Sequence, residues 1–287
     1  MIRTAIPRLG LRAASQILAL LFLAACGRHG EDAAALNSRA LAFLQREQFD
    51  SAIASATAAI AARQDFAEAY RNRGRAHRGA GDFNRALQDL DRAITLAPKN
   101  PAYYNDRGLT LQLAQRYEEA AASYSDALAN DSTFVQARKS LGRVEFFLGR
   151  FADAARDMEA GRRVDSTNAY LAIWLHFINQ RLGKDNASQL ATQIALTDTV
   201  HWPAPIAKYY LGRMSADQLM AAAANTDSKA MPDQRCAVDF YLGEELVWRH
   251  RIPEALERFE RTRASCPVAS TEYEGAVVEL KRLVSVR

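Results

Sequence analysis

Glycines recur along this 287-residue chain at a fixed interval of 34 positions: Gly74, Gly108 and Gly142. Twelve positions after each stands an alanine (Ala86, Ala120, Ala154), and four beyond that a large apolar side chain (Leu90, Tyr124, Met158). Ala40, Ala52 and Ala56 hold the same places one period earlier, and Gly243, Ala255 and Phe259 restore them near the end. A period of this length specifies a repeated supersecondary unit. Two antiparallel helices approach closely only where small residues stand, and each hairpin leaves an apolar face that its neighbour must cover. The expected fold is therefore all-α: helical hairpins stacked in register, offering a groove rather than an enclosed pocket.

The second unit carries Ala69-Tyr70, Gly74, Ala86, Leu90 and Ala97-Pro98, and in this it resembles the tetratricopeptide signature of aromatic, Gly, Ala, apolar and Pro. The resemblance implies a tetratricopeptide helical-hairpin solenoid with divergent C-terminal repeats and a capping helix. Repeats are expected at 33–66, 67–100, 101–134 and 135–168, with Ser132 and Ser166 where Pro98 ends the second. The domain reading is a signal at 1–25, a linker at 26–34, four repeats over 35–168, divergent helices over 169–235, and a last repeat with its cap over 236–287.

Residues 1–25 read as a signal. Arg3, Arg8 and Arg12 are followed by a short apolar run ending in Leu23-Ala24-Ala25-Cys26. Nine apolar residues at helical rise reach only about 14 Å, too short for a bilayer. Leu-Ala-Ala-Cys resembles a bacterial lipobox, which implies cleavage before Cys26 and diacylation of its thiol. Gly27 rather than Asp after the cysteine implies, by resemblance to lipoprotein sorting, the periplasmic face of the outer membrane. An ordinary signal with an incidental Cys26 is the alternative. The chain has 37 basic and 33 acidic residues; loss of the three signal arginines leaves 34 against 33. Nothing in that balance suggests nucleic acid as a partner.

The stretch 170–182 is apolar nearly all round, which fits either a fifth repeat sandwiched between neighbours or a self-association surface. Short helices are expected at 206–212 and, capped by Ser215, at 216–223, then a final helix at 271–284. Cys236 opens the first helix of the last repeat and Cys266 follows its second, so both fall at one end of an antiparallel hairpin. A disulfide or two separate buried thiols would fit that placement.

Catalytic and metal patterns are absent. The five histidines form no His-Glu-x-x-His or other compact ligand spacing. No Gly-rich phosphate loop or Gly-x-Ser-x-Gly elbow occurs, so no enzyme, cofactor or metal is expected. His201 beside Trp202 and Asp198 is the one tempting cluster, and it reads better as a loop histidine.

The groove carries more signal. In tetratricopeptide proteins the first helix of each pair lines the concave side. Arg71, Arg75 and Arg78 share one helical face that this register turns inward. Lys139 and Arg143 repeat the pattern two units on, with Leu109, Leu113, Phe146 and Phe147 inward beside them. Such a wall suits an extended peptide bearing acidic and apolar residues. Equally, the arginines could pair locally with Asp82, Asp89 or Asp106. The clamp that some of these proteins use for a C-terminal carboxylate is missing, since Leu41, Ala102 and Asp106 fill its places.

Lipobox, repeats and divergent C-terminal half together resemble the NlpI-like outer-membrane lipoproteins. The likeness is most specific in 171–193, in Tyr209-Tyr210-Leu211-Gly212-Arg213-Met214-Ser215, and in Phe240-Tyr241-Leu242-Gly243. It implies a lipid-anchored homodimeric adaptor that binds periplasmic proteins, gathering peptidoglycan endopeptidases and presenting some to a processing protease. An assembly or pilotin-type lipoprotein for a pilus, secretion or outer-membrane complex is one alternative. A cell-wall hydrolase is the other.

Overall fold

The computed structural model describes residues 32–196, 202–224 and 234–285, and the described residues form fifteen α-helices. They fall into two compact units that divide after Leu96.

The first unit contains α1 (Ala33–Leu44), α2 (Phe49–Ala62), α3 (Ala67–Gly79) and α4 (Phe83–Leu96), paired as two hairpins. Its core is built from small residues: Ala40, Ala52, Ala56, Ala69, Ala76 and Ala86 are fully buried. Within the second hairpin the Arg73 guanidinium donates to both oxygens of Asp89, at 2.7 and 2.8 Å. Asn72 donates to Asn37 at 2.9 Å and ties α3 to α1.

The second unit begins with α5 (Pro101–Leu113), α6 (Tyr117–Asn130), α7 (Val135–Phe147) and α8 (Phe151–Val164). Asn100 caps α5 by accepting from the Ala102 amide at 3.1 Å, with Pro101 in the first turn. Where serines replace the helix-ending proline, aspartates make the joint. Asp131 accepts from the Thr133 amide at 2.9 Å, and Asp165 from the Thr167 amide at 3.3 Å.

The glycine places are where helices touch. A Cβ on Gly108 would stand 2.7 Å from the Tyr124 ring, and one on Gly243 would stand 2.7 Å from the Phe259 ring. Seven positions beyond each glycine place the hairpin turn needs a left-handed residue. Gly81 and Gly149 supply it without strain, whereas Gln115 and His250 adopt it at φ 59°.

Helix α9 (Ala169–Arg181) settles the double reading of 170–182. Every residue from 171 to 179 is buried, with α8, α10 (Ala187–Ile194), α11 (Ala204–Tyr210) and α13 (Gln234–Trp248) packed around it. It is an internal helix, so no free self-association surface exists there. Trp174 and Phe177, with centroids 4.7 Å apart, form the middle of an aromatic cluster that includes Phe146, Phe240 and Tyr241. Helix α11 starts two residues earlier than its spacing predicts, with Pro205 in its first turn. Helix α12 (Ala216–Ala224) opens with a reciprocal cap: Ser215 Oγ accepts from the Gln218 amide and Gln218 Oε1 from the Ser215 amide.

The last hairpin pairs α13 with α14 (Ile252–Ser265). A disulfide joins Cys236 and Cys266 across it, with Cα atoms 5.2 Å apart. Helix α15 (Thr271–Val284), capped by Ser270, packs on α14 and α13 and also reaches back to α7. At its centre lies a buried ionic group. Arg181 donates to Glu244 at 2.8 Å and to Glu279 at 2.7 Å, and neither glutamate has exposed surface.

Replacing Gly243 with alanine drives a methyl group into Phe259 and should cost about 1–3 kcal/mol, read as a lowered midpoint in thermal unfolding. Closing a loop of sequence separation 30, the disulfide should contribute roughly 3–4 kcal/mol, so Cys236→Ser with Cys266→Ser should lower the denaturation midpoint without altering the helical spectrum.

Candidate protein-binding surfaces and a cavity beside the last repeat

In the first unit Arg71, Arg75 and Arg78 are half-buried along one face of α3, next to α1, whose Leu41 is exposed. Two acids of the same hairpin hold other cations. Asp89 holds Arg73, and Asp82 lies 3.4 Å from Arg85. His77 is buried 3.9 Å from Asp89, and desolvation lowers its pKa despite that carboxylate.

In the second unit the expected wall departs from its register. Leu109, Leu113, Lys139 and Arg143 are half-buried, but Phe146 and Phe147 are buried and line no groove. Phe146 meets Trp174 and Phe177 edge-on at 5.6 and 5.3 Å, inside the aromatic cluster. The reason is that this chain's own last helix fills the inward side. Arg282 on α15 donates to the carbonyls of Phe146 and Phe147 at 2.8 and 3.0 Å. Near the start of α15, Thr271 accepts from Arg143 at 2.7 Å, and Glu274 accepts from Gln112 on α5 at 2.7 Å. Sequence alone gave no sign of these ties, because partners 128 to 162 positions apart leave no local pattern.

Between α7, α9, α13 and the start of α15 the second unit has a partly open cavity of about 480 Å³. Lys139 and Arg143 line it from α7, Tyr170 and Trp174 from α9, with Trp202 and Gln234 also in the lining. The disulfide borders it through Cys236, and Glu272 faces it from α15. Burial lowers the Lys139 pKa, and neighbouring Arg143 lowers it further. Burial raises the Glu272 pKa, countered in part by its own backbone hydrogen bond, by Arg143 and by the Tyr241 hydroxyl, which donates at 3.4 Å. Glu274 behaves likewise: burial raises its pKa against hydrogen bonds from Gln112 and Tyr117 and the charge of Arg143.

Among the described residues no three or more His, Cys, Asp or Glu side chains gather as metal ligands, and no helix is long and apolar enough to cross a membrane. Cys26, Asp198 and His201 lie outside the described residues.

The tetratricopeptide repeat model matches the chain twice, over 37–101 and 71–134. Residues 37–134 thus match the tetratricopeptide repeat, and the chain is similar to the NlpI-like lipoproteins. A lipoprotein NlpI homolog of Haemophilus influenzae is 26% identical over 199 residues, covering 68% of this chain and 63% of the relative. The match thus spans just under two thirds of that protein's length. Among solved structures, PilF of Pseudomonas aeruginosa superposes with a TM-score of 0.54 over 86% of this chain and 97% of its own, at 15% identity. MamA of Desulfovibrio magneticus gives 0.51 over 58% of this chain and 96% of its own, at 18% identity. At such identities the likeness is one of fold alone.

The buried carboxyls of α15 set a pH dependence. A carboxyl with a raised folded-state pKa takes up protons more readily when folded, so stability is greatest below its ordinary pKa and falls as pH rises through the folded value. Glu274→Gln should therefore be more stable than the parent at pH 8, with the gap closing toward pH 5, as measured by urea denaturation across that range.

Proposed function

We propose that this chain is a lipid-anchored scaffold that binds other envelope proteins and does no chemistry on them. The observation that carries the reading is the α3 face: three half-buried arginines at i, i+4 and i+7 on a tetratricopeptide unit, next to the helix that carries exposed Leu41. Cations next to an apolar side chain suit an extended peptide with acidic and apolar residues. The anchor would be Cys26, acylated after signal cleavage and facing the periplasm from the outer membrane. Two acyl chains hold a protein stably where one would not.

By its likeness to the NlpI homolog, the clients are peptidoglycan endopeptidases and a processing protease, bound by a homodimer. Holding two clients on one scaffold raises their effective concentration for each other, which needs no active site on the scaffold.

The decisive experiment uses purified partners. The chain, with an acidic-peptide endopeptidase and a periplasmic processing protease, should sediment as a ternary complex. Reversing Arg71, Arg75 and Arg78 to glutamate should weaken client binding about tenfold or more and reduce its salt dependence. Unchanged affinity in that variant, with intact helicity, would remove the α3 face from the reading. Muropeptide release by the chain alone would remove the scaffold reading itself.

A further inference from the structure

The cavity beside the last repeat has properties that a structural void does not need. Empty cavities in proteins are apolar, and a buried polar atom without a partner is costly. Here Gln234 is only 6% exposed, yet among the described residues its Oε1 meets no donor, and the buried Nε of Arg143 meets no acceptor. Lys139 forms no ion pair among the described residues, although it is half-buried beside a second cation. Opposite these polar groups stand three aromatic rings, Tyr170, Trp174 and Trp202. The volume of about 480 Å³ lies within the range of small-ligand sites.

Each unmet group asks for something different. Among the residues that line the site, two cations stand against one anion, Glu272, whose carboxyl is already satisfied in part by Tyr241; Asp165 and Glu274, whose charges also reach Lys139 and Arg143, lie outside the lining. The surplus calls for a single negative charge. Arg143 already donates to Thr271 and Ser140 through its two terminal nitrogens, which leaves its Nε to meet a carboxylate oxygen. Gln234 Oε1 calls for an N–H donor. The aromatic walls call for a sizeable apolar body.

We propose that this cavity binds an N-acylated apolar amino acid by its free carboxylate, taking the carboxylate at Lys139 and Arg143, the amide N–H at Gln234, and the side chain among Tyr170, Trp174 and Trp202. Such a group is the last residue of a protein chain, or a free small acid of the same form. The site differs from the α3 face in every residue. It rests on the protein-binding reading only where a chain end is the source.

The test is a titration of the full mature chain with four probes, followed by calorimetry and by the fluorescence of Trp174 and Trp202. The probes are N-acetyl-L-phenylalanine, its C-terminal amide, 3-phenylpropanoate, and an N-acetylated tetrapeptide ending in phenylalanine. N-acetyl-L-phenylalanine should bind at least about tenfold more tightly than its amide, which lacks the charge, and than 3-phenylpropanoate, which lacks the N–H. Lys139→Gln should abolish the preference for acid over amide, and Gln234→Leu the preference over 3-phenylpropanoate, both with unchanged circular dichroism. A tetrapeptide that binds as well as the single residue identifies a chain end as the source; one that is excluded identifies a free small acid. Both results support the inference. Equal binding of acid and amide, no binding of any probe at about 1 mM, or a Lys139→Gln variant that keeps the acid preference overturns it. The variant with Arg71, Arg75 and Arg78 reversed should bind the probes as the parent does, so loss of clients and loss of this site are told apart.

Discussion

Close helix approach at the glycine places is the constraint on which the rest of the structure depends. Gly108 lies under the ring of Tyr124, and Gly243 under that of Phe259, with no room for a methyl group between them. That spacing sets the distance within each hairpin. It also keeps the polar ties in range, such as Arg73 on Asp89 and Arg107, which donates to Ser123 at 2.6 Å. Both pairs are 16 residues apart and occur one period from each other. The period thus repeats a hydrogen-bonding arrangement as well as a packing one.

The second unit turns this regular scheme into something particular through its last helix. Helix α15 does what a terminal cap must do, hiding the apolar face of the final hairpin. It also lies against α7 and donates from Arg282 to two backbone carbonyls there. Glu279 on the same helix joins Arg181 and Glu244 in a group shielded from water. Burying such charges is costly unless each is paired, and loss of one partner leaves the others stranded. The arrangement therefore favours one seating of α15 over any sliding alternative. With α15 seated, two phenylalanines that the register turns inward become core, and a cavity forms between its first turn and the disulfide-bonded hairpin.

Much of the fold was legible along the chain. The glycine and alanine interval located the hairpins, and Pro98, Pro101 and Ser215 marked helix ends, with caps at Asn100 and Ser215. Cys236 and Cys266 could be placed at one end of a hairpin from antiparallel geometry alone, and the structure joins them. The surfaces were less legible. Arg73 was not singled out, yet it is the residue that occupies Asp89. The three arginines Arg71, Arg75 and Arg78 keep the shared face that their spacing assigns. Helix α9 left two readings open because an all-round apolar pattern says only that both sides are covered, not by what.

What the sequence determined by itself was everything local and periodic: helices, their pairing, the small residues between them, and the rows of cations at helical spacing. These follow from steric fit over a few turns, which recurs with the period and so can be read from it. Tertiary structure alone decided which of those rows stay open. Phe146 and Phe147 are claimed by Arg282 more than 130 residues away, and Lys139, Arg143, Trp202 and Gln234 meet around one cavity from three separate stretches of chain. Such meetings depend on how the divergent helices and α15 fold back, and no repeat interval encodes that path.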